Sequence, residues 1–454
     1  MAEEKGIKRM VGYKSSSRKS KIDWLLLGAM LGLAFLGALC IMSAVNALSL
    51  SNAVVRTHLI ALPLAFMVFL AAWSFNYQIF DEQWKPLYGV IMALLIGVLI
   101  FGTYQRGSKS WFVLPFFSMQ PAEICRVLTI LVAAAFLDRQ GRRIRDMRTL
   151  ILLGVLVGPI FGLIMMQPDF SSIVITFPAL IALLYCAGIN VFYLALIAVF
   201  AAVAGFFTIA WTYLYLHPAL LDYKILAIFY KLASSVWYMG GFCLLLSVGG
   251  YVFWWMFKQL RIFLPSFYFV LATLVVAAGF FAGVFVDHQM KPYQRKRVEA
   301  FLAPQSDPQG ASYNVLQAQI AMGSGGVLGK GLFSGTQSRL GFVPEKHTDF
   351  ILAVVGEELG LWGTLTVLGL YLLILWRISA VAYLASDRYG YLVCSGIFGM
   401  FLTYMVINFG MLIGLFPVAG IPLPFISYGG SNLVSSMLAL GVVQSVYARR
   451  ITSA

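Results

Sequence analysis

The sequence predicts an all-α polytopic membrane protein of about twelve transmembrane helices, and three observations carry that prediction. First, 61% of its 454 residues are hydrophobic and only 11% are charged, with a mean hydropathy of +0.86. Soluble domains are about 45–50% apolar and about 25% charged, so this chain has too few charges to clothe a soluble core. Second, the apolar residues fall in blocks of about 20, the length that crosses a bilayer core of about 30 Å. Third, Lys and Arg outnumber Asp and Glu by 32 to 18, formally +14, and they collect in the N-terminal tail and in short loops between alternate blocks. That is the pattern of cytosolic loops, so the positive balance marks topology and implies no nucleic-acid partner.

Spans are expected at about 23–45, 57–75, 86–103, 122–137, 149–166, 171–188, 191–213, 239–257, 263–286, 349–376, 391–415 and 430–447. Residues 1–22, with Lys5, Lys8, Arg9, Lys14, Arg18, Lys19 and Lys21, read as a basic cytosolic tail ahead of an uncleaved first helix. Residues 23–454 then form a single transmembrane domain. An even number of spans places the basic loop Asp138–Arg148, the turn Lys258–Arg261, Arg377, Arg388 and the terminal pair Arg449–Arg450 on the cytosolic side with both termini. The five cysteines stand singly, without CxxC or Cys/His metal spacing, and read as packing residues.

The remaining polar stretches, 104–121, about 214–238, 287–348 and 416–429, then lie outside. The largest, 287–348, carries Tyr293, Phe301, Tyr313, Phe333 and Phe342 at intervals, which favours short helices packed on the outer bundle mouth. Ionisable groups at membrane depth mark pairs, cavities or function, and they gather in a few places. Glu123 and Arg126 share a helix face at a helix start, as an ion pair, a cavity lining or both. Asp169, after Pro168, suits a helix cap. Arg295, Lys296 and Arg297 put cations on the side where cations are disfavoured, which calls for an anionic partner, either lipid headgroups or a bound phosphate or pyrophosphate. Asp307 precedes Pro308 and by turn chemistry alone is a turn residue.

Gly323–Gly331 lacks the spacing of a nucleotide loop, although its amides and Lys330 could cradle an anion. Glu357 and Glu358 are costly at the outer end of a helix unless paired or hydrated. The proline-rich run Phe416–Pro424 with Ser427–Ser431 reads as a broken segment, tolerated at membrane depth when it is buried or lines a cavity. His347 lacks partners for a transition-metal site, and no hydrolase elbow or zinc motif is present. Together these features describe an outward polar cavity suited to the head of an anionic, lipid-linked substrate.

In this order, Gly107–Trp111, Gln120–Arg126, Gln167–Asp169, Tyr293–Asp307, Tyr313–Gly331, Phe342–Gly360 and Gly414–Ser431 resemble the motifs of the SEDS family (shape, elongation, division and sporulation; RodA- and FtsW-like), over most of the chain. The resemblance implies a peptidoglycan glycosyltransferase of the bacterial cytoplasmic membrane that polymerises lipid II and works with a class B penicillin-binding protein. Carried over by residue, it makes Asp307 the essential loop acid, acting as general base. Arg295, Arg297 and Lys330 would neutralise the pyrophosphate, while Trp111, Glu123 and Arg126 would line the cavity. The block at Phe342 and Gly414–Ser431 leans toward the RodA branch. No cofactor is required by the pattern; a divalent cation (Mg or Mn) could bridge Asp307 and the pyrophosphate, although no carboxylate cage is visible. The sequence departs from the family in two ways. Arg126 stands where Lys is common, and the family core has ten spans, so the pair at about 239–286 is expected to be peripheral. A lipid II flippase and a non-catalytic scaffold are the competing readings.

Overall fold

The computed structural model describes residues 21–45, 51–105, 108–113, 118–262, 264–302, 311–339 and 347–450. Within them run twelve long helices: α1 (Trp24–Val45), α2 (Ser51–Ser74), α3 (Trp84–Phe101), α4 (Pro121–Gln140), α5 (Met147–Met166), α6 (Phe170–Ala187), α7 (Val191–Leu216), α8 (Val236–Gln259), α9 (Ser266–Gln289), α10 (Ile351–Leu384), α11 (Arg388–Leu412) and α12 (Gly430–Arg449). Eleven are long and apolar enough to cross a membrane. The other, α4, has the length but carries Glu123, Arg126, Asp138 and Arg139. Glu123 and Arg126 are shielded from lipid, since nearly every residue from Pro121 to Leu137 is covered by neighbouring helices, while Asp138 and Arg139 stand at the less buried end of the helix.

α4, α11 and α12 form the centre of the bundle. α2 packs along α12, α1 against α10, α6 against α11 and α3 against α4. α8 has no buried residue and packs on α9, which in turn packs on α7, so this pair lies at the edge. Basic turns gather at one end of the bundle. There Arg139 pairs with Asp81 at 2.5 Å, Tyr77 donates to Asp387 at 2.9 Å, and Arg449 donates to the Ser74 carbonyl at 2.8 Å.

The opposite end carries an element that hydropathy did not predict, a three-stranded antiparallel sheet of β1 (Thr103–Gln105), β2 (Ser108–Val113) and β3 (Ser118–Met119). Strands this short fall below the length at which alternation is readable. Beside it lie the short helices Pro292–Leu302 and Ala311–Ser324, in the stretch expected to hold such helices.

α10 is bent at Gly360, whose φ of +66° is a left-handed backbone open to glycine. The bend frees the carbonyls of Glu357 and Glu358, and they accept from the amides of Lys330 and Gly331, both at 3.0 Å. The Gly323–Gly331 turn is thus a packing device seated in the bend. Those two amides serve α10 and do not cradle an anion.

Candidate active site

At the end of the bundle that carries the sheet lies a polar cavity of about 350 Å³. Its walls come from β2 (Trp111), the start of α4 (Gln120, Glu123), the start of α6 (Asp169, Ser171), the helix Pro292–Leu302 (Arg297), and the segment from Ala419 to Asn432. Elements far apart in sequence therefore supply one wall each.

Proline at the first position of α4 suits a helix start and leaves Glu123 in the first turn facing the cavity. Behind it Arg126 is buried, its Nη1 donating to Glu123 Oε2 at 2.8 Å and to the hydroxyl of Tyr404. Its Nη2 reaches Ser172 Oγ at 3.1 Å. Tyr404 Oη donates to Glu123 Oε2 at 3.1 Å, and Asn432 Nδ2 donates to Tyr404 Oη at 2.9 Å. One guanidinium fork thereby ties α4, α6, α11 and α12 together, which an ammonium with a single nitrogen could not do in this geometry. The pair holds a charged cavity wall in place.

Asp169 is committed to α6. Its Oδ1 accepts from Ser172 N at 3.2 Å and Ser171 Oγ at 2.8 Å, and its Oδ2 accepts from Gln120 Nε2 and Ser172 Oγ, both at 2.6 Å. With its acceptor sites filled in this way it is a cap that faces the cavity, as the sequence suggested.

The broken segment is held by neighbours rather than by its own helix. Asn408 Nδ2 donates to the Ile421 carbonyl at 2.9 Å, Leu423 N donates to Ser427 Oγ at 2.7 Å, and the Tyr371 hydroxyl donates to the Pro424 carbonyl. This is how irregular backbone survives at membrane depth. Gly420, with φ +67°, lies so close to Arg297 that a Cβ there would stand 2.7 Å from Nη1. Gly420→Ala should displace the guanidinium and lower turnover roughly ten- to hundredfold, and the strain of an L side chain at this φ should cost on the order of 1 kcal/mol of stability. Unchanged turnover would show that the placement of Arg297 is unimportant.

Among the sequence-predicted residues, Trp111, Glu123 and Arg297 line this cavity, and Arg126 stands directly behind it. Arg295 does not reach it. Its Nη1 is 3.1 Å from Asp287 Oδ1, its Nη2 donates to the Asp287 carbonyl at 2.7 Å, and its guanidinium covers the Tyr215 ring at 4.7 Å. It anchors the helix Pro292–Leu302 to α7 and α9. Lys330 is also elsewhere, bonded to Glu357 Oε1 at 3.0 Å, Ser324 Oγ at 2.7 Å and Thr336 Oγ1 at 2.8 Å. It neutralises Glu357, one of the two costly acids; the other, Glu358, accepts from Ser43 Oγ at 2.5 Å. Asp307 and the Phe342–Glu345 block lie outside the described residues. Among the described residues no group of three or more His, Cys, Asp or Glu side chains could hold a metal ion.

Sequence reasoning gave no site role to Tyr404 or Asn432. Both are polar residues inside apolar helices, which is the signal that could have marked them. Tyr428, Thr348 and Asp349 also line the cavity.

The chain is similar to known proteins over most of its length. The family described as cell cycle protein (FtsW, RodA, SpoVE) matches residues 20–229 and 230–451. The peptidoglycan glycosyltransferase RodA of Treponema pallidum is 31% identical over 446 residues, 95% of this chain and 99% of that protein. MrdB of Escherichia coli K12, also a peptidoglycan glycosyltransferase, is 32% identical over 81% of this chain and 79% of its own. A solved structure from work on how a peptidoglycan synthase complex coordinates polymerization and crosslinking superposes with a TM-score of 0.63 at 25% identity, covering 95% of this chain and 98% of its own. Thermus thermophilus RodA, at 22% identity and a TM-score of 0.58 over 95% of this chain and 98% of its own, shares the fold. The chain is thus a multi-pass membrane protein that belongs to the FtsW/RodA/SpoVE family.

Proposed function

We infer that the chain is a peptidoglycan glycosyltransferase that polymerises lipid II. The observation that carries this reading is the cavity itself: an aromatic residue, an ion-paired acid and a guanidinium converge at one end of a membrane bundle, in a chain of this family. The basic turns at the other end support a cytosolic position for that end. The cavity then opens on the outer face of the cytoplasmic membrane, and both termini are cytosolic.

The 4-hydroxyl of an acceptor GlcNAc attacks the anomeric carbon of a donor MurNAc, and undecaprenyl pyrophosphate leaves. An α-linked donor and a β-linked glycan make this a single inverting displacement, with no glycosyl–enzyme. Asp307, which follows the helix Pro292–Leu302 in sequence, takes the acceptor's proton. Arg297 meets the charge that develops on the pyrophosphate. Trp111 and the Glu123–Arg126 pair shape the wall that orients the head group. Arg295 and Lys330 serve this reaction indirectly, through the helix Pro292–Leu302 and the α10 bend that they secure. A class B penicillin-binding protein crosslinks the product, a partnership supported by the likeness to a protein from a synthase complex.

Arg297→Gln should lower lipid II polymerisation by roughly a hundredfold, with Arg295→Gln losing less. A gel-resolved polymerisation assay checks the order. Equal activity of Arg297→Gln and wild type would remove Arg297 from the site.

A further inference from the structure

Among the described residues, two hydrophobic cores are present. The larger joins α1–α6, the first turn of α7 and the helix Ala311–Ser324 with α10–α12, while Phe207, Trp211, Ala233, Phe280 and Val284 form a second one within the rest of α7, α9 and the segment between α7 and α8. Phe229 stacks on Phe207 at 5.6 Å and Phe242 leans on Phe280 at 4.6 Å. Helices α7–α9 are thus a module glued by aromatic contacts, and Arg295 ties the helix that carries Arg297 to that module.

Between the module and the main bundle lies an apolar groove of about 490 Å³, walled by α5, α6, α7 and α9. Gly154 and Gly158 of α5 line it, and nothing stands within 4 Å of the Cβ either would carry. Leu184, Phe200 and Leu274 face it from the other three helices. Its lining begins at Met147, the first residue of α5, so the groove reaches the basic end of the bundle. There Arg143, Arg145 and Arg148 are exposed, with Asp146 among them.

Water does not suit this space, because a buried water needs two to four polar partners and the lining is almost wholly apolar. A transmembrane helix does not suit it either. A cylinder about 10 Å across and about 30 Å long displaces on the order of 2,000 Å³, several times the groove. An empty groove would forfeit the dispersion contacts of its walls. We propose that the groove binds one acyl chain of an anionic phospholipid from the leaflet facing these arginines, with the lipid phosphate among Arg143, Arg145 and Arg148. The occupant then forms the packing between the main bundle and the module that carries the Arg297 helix. The polyprenyl tail of the substrate is the lesser fit, since the polar cavity opens at the far end of the bundle.

The full chain in nanodiscs, with phosphatidylglycerol carrying a photoactivatable group in one chain, tests this directly. Label is expected in peptides of α5, α6 and α7. Unlabelled phosphatidylglycerol should displace it roughly tenfold more effectively than phosphatidylcholine. Gly154→Leu with Gly158→Leu should fill the groove and remove the label. Arg143→Gln, Arg145→Gln and Arg148→Gln together should erase the preference for the anionic lipid while chain labelling persists. If the leucine variant does not fold, the displacement experiment on the unaltered protein still decides. Label spread over the exposed faces of α8 and α9, or displacement by lipid II as effective as by phosphatidylglycerol, overturns the proposal.

Discussion

Asp307→Ala is expected to abolish glycan polymer formation while leaving expression, monodispersity and melting temperature in detergent unchanged. A positioned general base contributes roughly 10²–10⁴-fold, and in a single displacement no covalent intermediate compensates for its loss. Three other acids line the described cavity, Glu123, Asp169 and Asp349. Asp169 spends its carboxylate on Gln120, Ser171 and Ser172, and Glu123 is tied to Arg126 and Tyr404. Asp307→Glu should retain a small fraction of activity, because the carboxylate is kept but displaced. A polymer ladder from Asp307→Ala comparable to that of wild type would remove the base assignment.

The largest effect on stability is expected from Arg126→Leu. Its side chain is 1% exposed and that of Glu123 8%, with the two 2.8 Å apart. Removing one member of such a buried pair costs roughly 3–5 kcal/mol, because the charge left behind is uncompensated. Here it would also release Tyr404 and Ser172 from the guanidinium. The double variant Glu123→Gln with Arg126→Met should recover much of that stability, since no orphaned charge remains, yet stay poorly active because the cavity wall has lost its charges. Thermal unfolding in detergent measures the first effect and lipid II turnover the second. If Arg126→Leu melts with the wild type, the network is not what joins α4, α6, α11 and α12.

Much of this was legible from the chain itself. Hydropathy gave each long helix, including α4, whose charges exclude it from a purely apolar count. The turn chemistry of Phe416–Pro424 announced the broken segment. The i,i+3 spacing of Glu123 and Arg126 announced their pairing. Other features were not legible, because they depend on contacts between distant parts of the chain. Tyr404 and Asn432 reach Glu123 across 281 and 309 positions. The glycines at 323–331 looked like an anion cradle, since nothing local reveals that α10 bends at Gly360 and leaves two carbonyls in need of donors. Arg295 and Arg297 are two residues apart on one helix, and so face different directions. Only packing decides that one meets Asp287 and the other the cavity.

Under the proposed function, this cavity joins lipid-linked disaccharides rather than moving them across a bilayer. The decisive experiment combines purified protein, the class B penicillin-binding protein proposed as its partner, and lipid II, all in detergent micelles where there is no membrane to cross. A ladder of glycan polymer that grows with time is expected. No polymer under these conditions, together with lipid II translocation by the same protein in vesicles, would contradict it.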